Sequence, residues 1–156
     1  MLFRSQVINR SLSERFVRGA FSAQLVAGHR VPFARDHLAL GGHIIGKTLE
    51  LREEDDGLYG KWLISRTALG EETIELLKDG ALDQLSIGFR ELPGGTRTRN
   101  GISVRTRAHL LEVAVVQNGA YGEGAAVSDI RSEVPETPNL AAARSVLSSL
   151  PVLPTW

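Results

Sequence analysis

Asn100-Gly101 stands between "RTR" and "ISVRTR", and an Asn-Gly pair between β-favouring residues is the strongest short-range hairpin signal, because both turn positions need positive φ. It commits its surroundings to antiparallel strands. "HIIGKTLEL" (43–51) and "GLYGKWLISR" (57–66) flank the polar turn "REEDDG" and predict a second pair of strands. Two more strands are expected over 85–92 and "HLLEVAVVQ". "TALGEETIELLKDGALDQ" predicts a short helix, with apolar residues at 74, 76 and 77, acids early, Lys78 late and Gly80 just beyond. No strand-helix-strand unit repeats. The expected fold class is therefore α+β, mainly β: an antiparallel barrel, closed or half-closed, with a few packed helices.

The domain is expected over 19–128. Residues 1–18 are polar and without clear period, and predict an N-terminal arm or a first strand. Residues 129–156, with Pro135, Pro138, Pro151 and Pro154 among Ser and Thr, predict a flexible tail around one candidate helix, "NLAAARSVLSSL".

Composition removes several function classes. Lys+Arg and Asp+Glu both number 18, so no global field draws the protein to nucleic acid or an anionic membrane. The absence of Cys excludes disulfides, thiolate catalysis and cysteine-ligated zinc. With no signal-peptide-like start and no run near the roughly 20 apolar residues of a membrane span, a soluble intracellular protein is expected. "RTRNGISVRTR" carries four arginines in eleven residues, but they alternate with Thr and Val. A solvated hairpin is favoured over a nucleic-acid contact.

Three polar residues sit in apolar company. Ser86 interrupts "LDQLSIGF" (82–89), where a hydroxyl entering a core needs a hydrogen-bond partner. The Gly-x-Ser-x-Gly elbow is absent, since Gln84 stands where its first Gly belongs. Glu112 lies in "LLEVAVV", and a bare carboxylate there needs a partner, either an arginine such as Arg105 or Arg107 or a histidine. The histidines are His29, His37, His43 and His109. His37 precedes Gly41 and Gly42, at a loop or strand end where a general base is commonly displayed. No "HExxH" spacing supports a metal site. The three would solve one another's problem if they met, because serine needs a neutral imidazole to take its proton and the imidazole needs an acceptor for its other N–H.

In order along the chain, "RGAFSAQLVAGHRVPFARDH", "IIGKTLEL", "DGLYGKWLI", "LLKDGALDQLSIGF" and "HLLEVAVVQNGA" resemble the prohead (capsid maturation) serine proteases of tailed phages, typified by phage HK97 and distantly akin to the herpesvirus assemblins. The resemblance covers about residues 18–127. It implies a herpesvirus-protease-like β-barrel and no cofactor. Residue by residue, His37 matches the catalytic base and Ser86 the nucleophile, and Glu112 falls where assemblins place their second His. Members carry a strand before the "GAF" segment, a place that "LFRSQVI" could fill.

The third member of the triad has three competitors by residue type. Asp36 adjoins His37 and should face away from it on extended chain, and period-two alternation sends His109 and Glu112 to opposite faces. The resemblance favours Glu112. The implied activity is endoproteolysis of scaffold, or of the scaffolding segment of the major capsid protein, during maturation of a phage, prophage or gene-transfer-agent prohead. Self-cleavage is implied as well, all within the immature capsid in the bacterial cytoplasm, with room for an oligomer there. Backbone N–H groups of "NGAYGEG" could receive the oxyanion, or its glycines could serve only a turn. The alternative function is a catalytically silent assembly or scaffolding component with the same fold.

Overall fold

A computed structural model describes residues 6–9, 12–26 and 30–131. The chain runs β1 (Gln6–Asn9), β2 (Leu12–Phe16), α1 (Ser22–Val26), β3 (Pro32–Arg35), β4 (His43–Glu53), β5 (Leu58–Ile64), α2 (Ala68–Lys78), β6 (Gln84–Glu91), β7 (Thr96–Arg99), β8 (Ile102–Arg105) and β9 (Ala108–Val116). His29 and the candidate helix "NLAAARSVLSSL" lie outside the described residues.

Local chemistry accounts for much of this. Asn100 and Gly101 take φ of 52° and 73°, the left-handed pair that a tight turn between β7 and β8 requires. Thr67 caps α2, its hydroxyl accepting from the Gly70 N–H at 3.1 Å, with Glu71 in the first turn and Lys78 in the last, where the helix dipole favours each charge. Thr73 and Leu77 face inward from α2.

The fold is mainly β, but the described strands do not close into the single antiparallel barrel expected from the sequence. The described strands form two open, mixed sheets, ordered β1-β2-β8-β7 and β5-β4-β3-β9-β6. Each contains one parallel pair, β2 with β8 and β3 with β9. Those pairings join the chain's beginning to its later third, so no hairpin signal announces them, and β5 and β6 remain opposite edges instead of meeting. The main core lies under both sheets and α2, around Phe16, Phe21, Phe33, Ile45, Leu110 and Val115. Phe16 packs edge-on against Phe89 at 4.9 Å between centroids, tying β2 to β6.

The described part of the first eighteen residues holds two strands, β1 and β2, with β1 falling partly in "LFRSQVI". Their sequence hides this because a buried glutamate, Glu14, shares an inward face with Phe16. Its partner is Arg105, equally buried, whose Nε and Nη2 both reach Glu14 Oε2, at 3.1 and 3.0 Å. Arg105 Nη1 also donates to Thr96 Oγ1 at 3.0 Å and to Glu91. The neighbouring Tyr121 hydroxyl is held in its protonated form first by burial and then by the charge of Glu14. Arg105 is therefore not the partner of Glu112.

Removing one side of a buried ion pair strands the other charge. Glu14→Ala is expected to lower unfolding stability by about 3 kcal/mol. Glu91→Ala, whose side chain is 52% exposed, should lower it by less than about 1 kcal/mol. Urea melts of both variants check the ranking, and equal losses would refute it.

Candidate active site

The site is built where β3, β6 and β9 lie side by side. On β6, Leu85, Ile87 and Phe89 pack on the core, which leaves Ser86 and Gly88 on the other face. On β9, Ser86 stands opposite Ala114 and Gly88 opposite Glu112, but the next pair is Phe89 with Leu110. Leu111 is thus an extra, half-exposed residue, a β-bulge.

That bulge reverses the alternation along β9. Ala108 and Leu110 belong to the core before it, and Val113 and Val115 after it. Glu112, Ala114 and Val116 consequently share the face that carries Ser86. His109 falls on that face too, so the expectation that alternation separates it from Glu112 is overturned. Position along the strand separates them instead: His109 pairs with Arg90, beyond the bulge.

β3 brings the third element. Its parallel register sets Ala34 beside Ala114 and Arg35 beside Val115, and the Asp36 N–H donates to the Val115 carbonyl at 2.9 Å. Asp36 then turns the chain with φ of 59°, so the segment is not extended, and the expectation that Asp36 simply alternates with His37 is corrected. The loop closes when Leu40 and Gly42 N–H groups both donate to the His37 carbonyl, at 2.8 and 2.9 Å. Only glycine fits at 42, where a Cβ would stand 2.2 Å from the Asp36 carbonyl oxygen.

This loop lays the His37 ring between the two strands' polar residues. His37 Nδ1 lies 2.6 Å from Glu112 Oε1, and Nε2 lies 2.9 Å from Ser86 Oγ. A carboxylate only accepts, so Nδ1 carries the proton and Nε2 is left to accept from the serine hydroxyl. The Leu38 N–H donates to Glu112 Oε2 at 3.0 Å. Both carboxylate oxygens are thereby engaged in a residue only 4% exposed, while the His37 side chain keeps 25% of its surface open. The hydroxyl and the carboxylate that stood unexplained in two apolar strands are each other's second neighbours through one ring.

The Leu38 amide was not visible as a participant beforehand, since a backbone donor leaves no mark on residue type. The glycine turn does not meet the oxyanion expectation at its glycines. The Gly119 N–H donates to Gln84 Oε1 at 2.8 Å, and those of Gly122 and Gly124 to the carbonyls of Gly119 and Tyr121 at 3.0 Å each. Beside the exposed side of His37 opens a cleft of about 620 Å³, walled by Leu40, Leu69 and Val116 and by an Arg35–Glu72 ion pair at 2.6 Å. His43 lines it as well. Among the described residues no cluster of His, Asp and Glu is arranged to hold a metal ion, and no helix is long and apolar enough to cross a membrane.

A hydroxyl, an imidazole and a carboxylate in one hydrogen-bonded row is an arrangement suited to nucleophilic hydrolysis, the chemistry of serine hydrolases. The family model of the caudovirus prohead serine proteases matches residues 4–138, and the chain belongs to that family. It is thus a serine protease of capsid maturation, a class that acts within the phage prohead on capsid components. Neither a curated protein nor a solved structure matches the chain.

Proposed function

We propose that this protein is an endopeptidase with a Ser86–His37–Glu112 triad, cutting scaffold or the scaffolding segment of the major capsid protein, and finally itself. The supporting observation is the His37 ring between Ser86 Oγ at 2.9 Å and Glu112 Oε1 at 2.6 Å. Ser86 Oγ attacks the scissile carbonyl as its proton passes to His37 Nε2, and a tetrahedral oxyanion forms. His37 then gives that proton to the departing amine, leaving an acyl-enzyme on Ser86. Water repeats the sequence in reverse roles and frees the serine. Glu112 holds the ring by its Nδ1–H throughout and stabilises the imidazolium of each step, itself anchored by the Leu38 N–H.

A fluorophosphonate probe tests the nucleophile without a substrate. The full chain should be labelled once, at Ser86, and the Ser86→Ala variant should not be labelled. An unlabelled wild type that is folded and still incorporates into proheads would favour the silent assembly component instead.

A further inference from the structure

Gly88 lies directly across β6 and β9 from Glu112. A Cβ at this glycine would stand 2.7 Å from Glu112 Cγ, 2.8 Å from Oε1 and 3.0 Å from Cδ, closer than side-chain carbons approach. Its φ is not in the left-handed region, so backbone freedom does not explain a glycine here. Glycine in a strand interior is otherwise unfavourable by roughly 0.5–1 kcal/mol relative to alanine. The glutamate can swing away only by giving up the Leu38 N–H at Oε2 and His37 Nδ1 at Oε1.

We infer that Gly88 is a positioning residue of the catalytic site: its missing side chain is the space in which the Glu112 carboxylate lies, and the Leu111 bulge is what aims Glu112 into it. The inference rests on the Ser86–His37–Glu112 reading. It adds that this reading depends on a paired irregularity, an extra residue in β9 and an absent side chain in β6. A methyl group at 88 should push the carboxylate off Leu38 and His37 and leave the ring unheld.

Gly88→Ala is accordingly expected to lower kcat about 10²-fold, the penalty of a misplacement near 1 Å, with KM changed by less than about threefold. In a Glu112→Ala background the same change should have no further effect, because Cγ, Cδ and Oε1 are gone. The hydrogen bond itself can be followed apart from activity, in the Ser86→Ala background, through the deshielded Nδ1 proton resonance of His37 in histidine-labelled protein, assigned by its loss in His37→Ala. Gly88→Ala should abolish or strongly shift that resonance. Wild-type kcat in Gly88→Ala alongside an impaired Glu112→Gln would overturn the inference and leave the triad standing. If Glu112→Gln were fully active the triad reading would fall, and the resonance would still decide whether Gly88 places the carboxylate. Should Gly88→Ala not fold, Gly88→Ala/Glu112→Ala decides: melting at or above Glu112→Ala supports the clash, and failure of the double variant to fold overturns it.

Discussion

Ser86→Ala and His37→Ala are each expected to abolish processing of a co-expressed capsid or scaffold substrate, a loss on the order of 10⁶ in kcat, and to leave a folded protein. Without the hydroxyl there is no atom to form the acyl bond, and without the imidazole the hydroxyl keeps its proton, so either deletion removes the same step. The double variant should be scarcely slower than either single one, as for groups that act as a unit. Folding should survive because the sheets and core are built from other residues. Ser86→Ala leaves His37 Nε2 on a ring whose side chain is 25% exposed, where water can replace the lost donor. His37→Ala leaves Glu112 with the Leu38 N–H. Capsid-protein size on gels, with circular dichroism of each variant, measures both halves. Undiminished processing by Ser86→Ala would show that the nucleophile is another residue.

Glu112→Gln should slow cleavage by roughly 10² to 10⁴, with the fold retained. The reason lies in the count of donors. Two groups face this carboxylate, the Leu38 N–H and His37 Nδ1, and the backbone amide can only donate. A glutamine must turn its single oxygen to Leu38 and its NH₂ to His37, so Nδ1 has to accept and Nε2 has to carry the proton. Nε2–H then points at Ser86 Oγ and cannot take its proton. The amide also offers no charge to offset the imidazolium. His109→Ala should stay within a few-fold of wild type, since His109 stands across from Arg90 beyond the bulge. Time courses of cleavage for both variants check this. The opposite ranking would transfer the role to His109.

How far the site was legible depends on the range of each interaction. Ser86 and Glu112 could be found because each breaks an apolar strand with a group that needs a partner, a conflict visible within a few residues. His37 was one histidine among four on residue type alone; its place before Gly41 and Gly42 suggested a displayed base, and the resemblance to a family motif gave it that role. The competition between His109 and Glu112 was argued from regular alternation. Alternation was expected only to separate the two, and the resemblance chose Glu112; the separation by face does not hold, because one inserted residue, Leu111, shifts the period. No residue type announces a bulge of this kind, since leucine suits a regular strand equally well.

The sequence by itself determined the parts whose energetics are local. These are the Asn100-Gly101 turn, whose two positive φ values suit those residue types, the α2 helix with its Thr67 cap and ordered charges, and the apolar runs of β4, β6 and β9. Tertiary structure alone decided which strands became neighbours outside the β4–β5 and β7–β8 hairpins. β2 lies parallel to β8, β3 lies parallel to β9, and two open sheets stand in place of one barrel. It also decided that His37 meets a serine 49 residues away and a glutamate 75 residues away. The physical reason is that a turn or a cap is satisfied by atoms a few residues apart, whereas strand order and the hydrogen-bonded row of Ser86, His37 and Glu112 come from burying distant apolar faces together. In that burial, one bulge in β9 is enough to bring Glu112 onto the face that carries Ser86.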